Sequence, residues 1–470
     1  MLAIRQRGPL SVKRSRTGPG PDQKTAWEKE ARQQEEMQYY AQILDLGRIL
    51  EEPDPLAGFL TAAPQDLGPF RAVLREEVLD GGKMTLLPLD FTADAAARNF
   101  AAQWRRFLGC EIRILSRGET LSPTTAEGPV VVLSARPVNA SDVEARFTQF
   151  PARCLWVGSP MPNQVKERCR DSLGVFVLKD GGSLAGSDFL YTVLSLLVIE
   201  VWEPIAPGKA EIIGRQFREG GEIIRGVLQN LSLKQEIHAA MQANRGYETA
   251  YLIGPYTGMG LDWVRRFDHM GQKILAWESF GMSAHGPLVT VDPRVDEKFI
   301  RLTPRPKMVS VYGEKRVRDW ERRYLTGGDV DNFLQNPPAG IYSRVQTPFF
   351  GEGHWYFPEL RDDYDATQDN LIILDASSER YFRQALDELA VYGCRYARLV
   401  VISQEVFVSA RGKKERPLFQ YPMSHLLKLP ALEGINGHVP IPDLHLPLVM
   451  NLVGTAMAAA GQKPTGQEGL

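Results

Sequence analysis

The stretch WESFGMSAHGPLVTVD, from Trp277 to Asp292, joins the end of one predicted strand to a glycine turn and to the start of a second apolar strand. Between the two strands, His285 stands directly before Gly286 and Pro287. We expect a histidine at this position to point out of the carboxyl edge of a sheet, where open α/β folds bind small molecules. The stretch therefore predicts a parallel sheet with a candidate site at its edge.

The composition is that of an ordinary globular protein, with 43% apolar and 24% charged residues. A chain of 470 residues is long enough for about two or three domains. Its formal net charge is -2, so no overall field attracts it to nucleic acid or to an anionic membrane. No apolar run reaches the roughly 18 residues that a membrane span needs. We therefore expect no nucleic-acid partner and no membrane partner.

The cysteines are scattered, without CxxC pairs or clusters at metal-ligand spacing. This pattern predicts buried reduced thiols, no metal site and a cytoplasmic protein. No phosphate-binding P-loop or complete dinucleotide fingerprint follows a predicted strand, so we expect no cofactor. The four cysteines are Cys110, Cys154, Cys169 and Cys394.

Short apolar strands alternate with amphipathic helices through both halves of the chain, which is typical of parallel sheets covered by helices. The sequence therefore predicts an α/β fold of two tandem three-layer α/β/α units with parallel sheets. The predicted strands are residues 84–89, 111–115, 128–133, 154–157, 175–178, 250–254, 273–277, 371–375 and 399–403. The predicted helices are residues 24–50, 66–79, 93–108, 189–202, 211–244 with a break at Gly220-Gly221, 260–272, 377–392 and 444–459, and a capping box at Ser141-x-x-Glu144 predicts one more.

Composition also suggests where the domains begin and end. The basic, Pro/Gly/Ser-rich residues 1–24 predict a disordered arm. Residues 25–206 form the first predicted domain, with N-terminal helices, and residues 207–460 form the second. An irregular insert at about 304–369, basic and helical near 314–324, is expected to be a lid, an interface or a mobile loop. Residues 461–470 predict a flexible tail.

Three segments resemble the tandem domains of the sugar isomerase (SIS) superfamily. The string around His285 resembles the GELKHGPLALID segment of the isomerase half of glucosamine-6-phosphate synthase. The segment YLIGPYTGMG at 251–260 stands where that family has a strand and glycine turn, and residues 427–452 are similar to the family's carboxyl-terminal part. The resemblance covers about residues 83–460 and implies two tandem SIS-type units.

The resemblance implies aldose–ketose or amino-sugar-phosphate isomerisation, without a glutaminase domain, on a phosphorylated sugar or amino sugar. His285 matches the histidine that opens the sugar ring. The family's general base falls at about His269, with Asp268 beside it, and an imidazole can move a proton near neutral pH. An equally good explanation is a helix whose core side is Trp263, Phe267 and Met270 and whose solvated face is Arg265, Arg266, Asp268 and His269. The family's terminal lysine has no counterpart, since Lys463 comes too early.

The positions of the family's phosphate and sugar contacts hold hydroxyl groups and one guanidinium, although each of these is also ordinary loop chemistry. Asp90 replaces part of a glycine-containing turn, where its carboxylate would repel a phosphate. Arg136 could bind an anionic group through two hydrogen bonds. The candidate substrate-binding residues are Ser134, Arg136, Ser141, Ser183, Ser187 and Thr257.

Two functions stay open at this point. One is a protein that binds a sugar phosphate or another carbohydrate derivative. Such a protein could also be an isomerase that uses His285, His269 and Asp268. The other is a catalytically inactive SIS-fold module with a regulatory or structural role. The first predicts a polar pocket between the halves that Ser134, Arg136, Ser187 and His285 line together, whereas the second predicts a narrow or filled pocket. The resemblance also implies a homodimer, because the family's histidine reaches into the neighbouring subunit.

Overall fold

The structure is a computed structural model, and most of the chain from residue 21 onward is described by it. The described ranges are residues 21–62, 82–116, 119–122, 128–148, 154–169, 174–179, 181–202, 207–244, 249–254, 257–277, 300–304, 350–351, 354–358, 370–378, 399–410, 424–434 and 437–461, with the further positions Gly68, Ala72, Tyr247, Glu314, Lys315 and Phe382. The segment around His285 lies outside these residues.

The first half of the chain forms a six-stranded sheet in the order β1-β6-β5-β4-β2-β3. All neighbouring strands are parallel except β1, which pairs antiparallel with β6 at one edge. The five predicted strands are confirmed, and β1 is an addition that its three residues did not indicate. The strands are β1 (Leu60–Ala62), β2 (Lys83–Pro88), β3 (Glu111–Ile114), β4 (Val130–Ser134), β5 (Cys154–Gly158) and β6 (Gly174–Leu178).

Helices follow the strands of the first sheet as predicted, with one correction. The capping box is wrong: the N-cap of the helix after β4 is Asn139, so Ser141 lies inside its first turn. Most of the predicted helix at 66–79 lies outside the described residues. The helices are α1 (Pro21–Leu50), α2 (Pro55–Phe59), α3 (Phe91–Leu108), α4 (Ala140–Glu144), α5 (Asn163–Arg168) and α6 (Gly186–Trp202).

The second half begins with three helices, and the predicted break at Gly220 is confirmed by the end of one helix at Arg218 and the start of the next at Gly220. A five-stranded, fully parallel sheet follows in the order β14-β13-β12-β7-β8. The elements that build this part are α7 (Pro207–Arg218), α8 (Gly220–Gln229), α9 (Leu231–Ala243), β7 (Thr249–Ile253), α10 (Thr257–His269), β8 (Ile274–Trp277), β12 (Asn370–Ala376), β13 (Leu399–Gln404), α11 (Glu405–Ala410), β14 (Ser424–Leu429) and α12 (Leu446–Ala460).

The stretch expected to be irregular contains a small antiparallel sheet in the order β10-β11-β9. Its strands are β9 (Ile300–Pro304), β10 (Phe350–Gly351) and β11 (His354–Pro358). Three consecutive aromatic residues of the expected insert thus lie in β11, which agrees with the preference of aromatic side chains for strands. A hairpin of β15 (Leu432–Gly434) and β16 (Gly437–Val439) lies between β14 and α12. Only Phe382 of the predicted helix at 377–392 is described as helical.

One apolar core lies between the two parallel sheets. Leu133 of the first sheet and Ile373 of the second both belong to it, together with residues of α3, α6, α10 and α12. On the other face of the first sheet, Trp156 packs in a separate cluster with Val143 of α4 and Val165 of α5. Because the central strands β4 and β5 are buried on both faces, their sequences are largely continuous apolar runs rather than alternating ones.

None of the helices within the described ranges is long and apolar enough to cross a bilayer.

Candidate functional site

In the first sheet, the strands that follow β2 in the chain are added first on one side of β2 and then on the other, so the strand order reverses between β2 and β4. From β2 the chain moves outward to β3 and then returns to β4, on the other side of β2. The carboxyl ends of β2 and β4 therefore flank a crevice of the kind in which open α/β sheets bind ligands. Asp90 follows β2 at this edge, and Ser134 ends β4 with Arg136 after it.

Asp90 joins the two sides of this crevice through both oxygens of its carboxylate. Oδ1 accepts a hydrogen bond from the main-chain N–H of Ala93 at 2.9 Å and caps α3. Oδ2 accepts from the main-chain N–H groups of Ala135 at 2.7 Å and Arg136 at 3.2 Å. Main-chain N–H groups at such a turn are the usual cradle for an external anion. Here the protein's own carboxylate occupies the cradle.

The hydroxyl of Ser134 is turned into the protein. Its side chain is fully buried, and its Oγ donates to the main-chain oxygen of Arg136 at 2.6 Å and lies 2.8 Å from Ser159 Oγ. The close approach of β5 to this turn requires glycine at Gly158, whose φ is 130° and where a Cβ would lie 1.9 Å from the Ser134 oxygen. Ser134 therefore stabilises the loop.

Arg136 and Ser141 are exposed on the same loop. The guanidinium of Arg136 is thus the cationic group that this loop presents at the carboxyl edge, whereas its main-chain N–H is already used by Asp90. An anion reaching this part of the site would meet the Arg136 side chain, which can donate two parallel hydrogen bonds.

The loop before α6 is bound by an arginine from the second half of the chain. Arg265 of α10 donates from Nη1 to the Ser183 oxygen at 3.3 Å and from Nη2 to Ser187 Oγ at 3.2 Å, and it also contacts the Leu184 oxygen. Ser187 is 1% exposed. Burial lowers the pKa of Arg265 to about 10, which leaves it cationic at neutral pH. The Ser187 hydroxyl is therefore engaged by Arg265.

Asp268 and His269 lie exposed near the end of α10, one turn beyond Arg265. The imidazole of His269 contacts the carboxylate of Glu35 on α1, and both side chains are about half exposed, at 50% and 40%. On the opposite side of the helix, Trp263 and Phe267 are completely buried. Asp268 and His269 thus occupy the solvated face. Thr257 is the first residue of α10, and His285 lies outside the described residues.

The expected solvated face is wrong for Arg266, which is completely buried in a charged network next to Arg265. Arg266 Nη2 donates to Asp188 Oδ2 at 2.7 Å and to Tyr39 OH at 3.2 Å, with its guanidinium carbon 4.8 Å from the Tyr39 ring centre. Asn451 Nδ2 donates to Asp188 Oδ1 at 2.7 Å and to Asp262 Oδ2 at 3.1 Å. Asp188 and Arg266 are almost fully buried, and Asp262 lies 3.9 Å from the same guanidinium, so the charges compensate one another away from water.

This network ties both halves of the molecule together. Its residues come from α1, α6, α10 and α12, and Asn99 of α3 adds a donor to Asp262 Oδ2 at 3.2 Å. The sequence signal was the charged pair Arg265-Arg266 on the inner side of an otherwise apolar helix face, together with Asp188 at the start of a long apolar helix. The network holds α10 and α6 in register and so positions Arg265 on the Ser187 loop.

No group of three or more His, Cys, Asp or Glu residues in the described part of the chain is arranged to hold a metal ion. The three described cysteines, Cys110, Cys154 and Cys169, are buried and form no disulfide.

No protein-family model matches the chain, and no curated protein matches its sequence. The C-terminal domain of glucosamine-fructose-6-phosphate aminotransferase from Francisella tularensis aligns with a TM-score of 0.51 and 12% identity, over 90% of this chain and 93% of that one. Tagatose-6-phosphate ketose/aldose isomerase from Escherichia coli aligns with a TM-score of 0.46 and 13% identity, over 96% and 98%. Glucosamine-6-phosphate deaminase from Thermotoga maritima aligns with a TM-score of 0.39 and 9% identity, over 85% of this chain and 94% of that one.

The first of these alignments shows that the chain shares the fold of that C-terminal domain, with two tandem units built on two predominantly parallel sheets. The predicted fold class is therefore confirmed. At this level of identity the likeness concerns the fold.

Proposed function

We propose that this chain is a carbohydrate-derivative binding protein of the SIS fold, which takes an amino sugar or a sugar phosphate at the carboxyl edge of the first sheet and does not isomerise it. The observation that carries the proposal is the contact of Asp90 Oδ2 with the main-chain N–H groups of Ala135 and Arg136. This contact changes which chemical groups the crevice can receive.

A ligand at this edge meets a carboxylate and a guanidinium rather than a free N–H cradle. Asp90 keeps acceptor capacity for a hydroxyl or ammonium group, since a carboxylate accepts about four hydrogen bonds and three are used. Arg136 offers donors to a phosphate. An amino sugar that also carries a phosphate satisfies both, with Ser141 and Ser183 as further contacts.

Two occupied hydroxyls support binding without turnover. Ser134 is bonded inside its loop, and Ser187 is bonded to Arg265. A substrate that used either hydroxyl would have to displace a buried partner, which leaves that partner without a hydrogen bond at a cost of about 1–3 kcal/mol. This arrangement matches the filled pocket expected of a catalytically inactive module.

One contact favours the second candidate, an aldose–ketose isomerase. His269 lies against Glu35, and a histidine paired with a carboxylate is a common arrangement for general acid–base catalysis. In that reading His269 acts as the base, Asp268 lies next to it, and His285 opens the sugar ring.

Proton exchange separates the two candidates. Glucosamine 6-phosphate and fructose 6-phosphate are incubated with the full chain in deuterated buffer, and deuterium at the C1 and C2 positions is followed by proton NMR. We expect ligand binding without exchange. Exchange that disappears in His269→Ala or His285→Ala would establish the isomerase instead.

A thermal-shift titration tests the binding itself. We expect stabilisation by glucosamine 6-phosphate that is lost in Arg136→Ala and kept in Arg218→Ala, because Arg218 is an exposed arginine of α7 outside the crevice. An equal increase in melting temperature in both variants would show that Arg136 does not contact the ligand. A wild type whose melting temperature does not change would reject carbohydrate binding.

The proposal extends to a cytoplasmic homodimer. Buried, unpaired cysteines support a reducing compartment, and the resemblance of the His285 segment supports a two-fold assembly. Light scattering coupled to size-exclusion chromatography tests the latter, and a mass of one chain at micromolar concentration would reject it.

A further inference from the structure

The helices α1 and α8 approach each other through their main chains at a pair of glycines. A Cβ at Gly221 would lie 2.4 Å from the Gly47 oxygen, and a Cβ at Gly47 would lie 3.3 Å from the Gly221 oxygen. The crossing therefore has no room for a larger residue at Gly221, which would push the two helices apart. Both glycines present bare main chain at this point.

A cavity of about 240 Å³ opens beside this crossing, and both glycines line it. Its apolar walls come from Leu44 on α1 and Ile224 on α8. Ile224 is completely buried, whereas Leu44 is 45% exposed. The volume is below the roughly 300–1,000 Å³ of pockets for drug-sized ligands, so the cavity suits a smaller molecule. The apolar part of such a molecule would cover Leu44.

Three charged side chains line the same cavity, and two of them form an ion pair between its two sides. The guanidinium of Arg225 on α8 contacts the carboxylate of Glu51, the residue that follows α1. The two charges of this pair balance each other. The charge that the cavity lining has in excess is therefore that of the third side chain, Arg48.

Arg48 is placed to receive an anion. Its side chain is 75% exposed, and Nη2 contacts the exposed carboxylate of Asp45 one turn earlier on α1. An exposed ion pair of this kind adds little to stability, so Arg48 can exchange Asp45 for a ligand at small cost. A guanidinium matches a carboxylate, because its planar fork donates two parallel hydrogen bonds to the two oxygens.

We infer that the cavity between α1 and α8 binds a small monocarboxylate with an apolar tail. The carboxylate pairs with Arg48, and the tail lies against Leu44 and Ile224. The lining supplies two cations and one anion, so a single negative charge on the ligand balances it, whereas a phosphate dianion exceeds that balance. Helices rather than strand ends form this cavity, so the site is separate from the crevice of the first sheet.

A calorimetric titration of the full chain tests the charge, with hexanoate as the probe and hexanamide as its uncharged counterpart. We expect hexanoate to bind about tenfold to a hundredfold more weakly in Arg48→Ala, the effect of losing hydrogen bonds between charged groups. Arg218→Ala, which removes an exposed arginine of α7, should bind like wild type. Hexanamide should bind the wild type about tenfold more weakly than hexanoate.

Three results of this titration would overturn the inference. One is a wild type that does not bind hexanoate at millimolar concentration. Another is equal binding of hexanoate and hexanamide. The third is the same hexanoate affinity in Arg48→Ala as in wild type, and the exposure of Arg48 makes a folding defect in this variant unexpected.

Leu44→Ala tests the apolar wall. Leu231→Ala is the matched control, because Leu231 is 71% exposed at the start of α9 and does not line the cavity. We expect hexanoate to lose about threefold to tenfold in affinity in Leu44→Ala and to keep its affinity in Leu231→Ala. Equal effects of the two changes would show that the tail of hexanoate does not lie in the cavity.

Arg136→Ala distinguishes this cavity from the first-sheet crevice, since a carboxylate could also pair with Arg136. We expect the affinity for hexanoate to be the same in this variant as in wild type. A loss in Arg136→Ala that Arg48→Ala does not share would place the probe in the crevice and reject the cavity as its site. Binding of glucosamine 6-phosphate is measured separately, so failure of either site leaves the other testable.

Discussion

Asp90 Oδ2 accepts a hydrogen bond from the main-chain N–H of Ala135 at 2.7 Å. This contact links the start of α3 to the turn after β4, at the point where the first sheet would be expected to bind an anion. A single carboxylate thereby serves as helix cap, as a bridge between two strand ends and as an internal replacement for a ligand's negative group.

The first prediction concerns stability. Asp90→Ala removes the cap of α3 and leaves the N–H groups of Ala135 and Arg136 without their acceptor. We expect a loss of about 2–4 kcal/mol in the free energy of unfolding, measured by urea denaturation. Asp142→Ala, an exposed acid in the first turn of α4, should change it by less than about 0.5 kcal/mol. Equal effects of the two variants would contradict the bridging role.

The second prediction concerns the buried pair of Asp188 and Arg266, which are 1% and 0% exposed. Asp188→Asn leaves the buried Arg266 with only the more distant Asp262, 3.9 Å away, and Arg266→Met removes the cation closest to Asp188, so each should cost about 3–5 kcal/mol. The double variant should cost clearly less than the sum, because it removes both members of the pair while Asp262 keeps Arg265 at 3.7 Å. Additive losses in a double-mutant cycle would show that the two side chains do not act as a pair.

The third prediction uses the buried His445. Its Nε2 lies 2.6 Å from the Gln216 oxygen, and its ring stacks on Phe217 at 5.5 Å. Burial lowers the pKa of His445 to about 4, partly offset by the Gln216 oxygen. The folded state therefore disfavours the protonated ring. The contribution of neutral His445 to the free energy of unfolding is therefore complete above pH 6.5, the pKa of the unfolded chain. It is lost as the pH falls towards 4.

The expected loss at His445 amounts to about 3 kcal/mol over that range. It is measured as the difference in unfolding free energy between wild type and His445→Gln at several pH values. The difference should shrink steadily on acidification from neutral pH. A difference that does not vary with pH would mean that His445 titrates alike in the folded and unfolded chain.

The fourth prediction has the opposite sign. Burial raises the pKa of Asp375 to about 6 from 3.8, so the folded state holds the proton more tightly than the unfolded chain. Below pH 3.8 Asp375 is protonated in both states, so burial of its charge does not lower the stability. As the pH rises from 3.8 to 6 the free energy of unfolding falls, by about 3 kcal/mol in total. Asp375→Asn should gain stability over wild type at pH 7 but not in acid. Asp142→Asn is the control. A gain in stability of Asp375→Asn that does not vary with pH would contradict the raised pKa of Asp375.

Much of the fold could be predicted from the sequence because its signals are local. The first four residues of β4 (Val130–Ser134) are all apolar, which is typical of a short strand buried on both faces. The helix α3 was predicted to start two residues late, since the apolar pattern begins after Asp90 and the cap itself is polar. The three residues of β1 are too few to show a hydrophobic alternation, and they form a strand by pairing with β6.

The site was harder to predict because its contacts are long-range. Ser134 and Ser187 are predicted contacts because of their hydroxyls, but Ser134 meets Ser159, 25 residues away, and Ser187 meets Arg265, 78 residues away. Asp90 was recognised as unfavourable to phosphate, but its partners lie 45 and 46 residues away. Residue type and spacing thus located the crevice, while the groups that fill it depended on the packing of α10 against the first half.

The central claim is that Asp90 occupies the anion cradle of the first sheet, and a calorimetric titration with inorganic phosphate tests it most directly. Asp90→Ser keeps a hydroxyl that can cap α3 but frees the N–H groups of Ala135 and Arg136. The account predicts that this variant binds phosphate at least about tenfold more tightly than the wild type, a difference of about 1.4 kcal/mol. Equal affinity in both proteins, or tighter binding by the wild type, would contradict it.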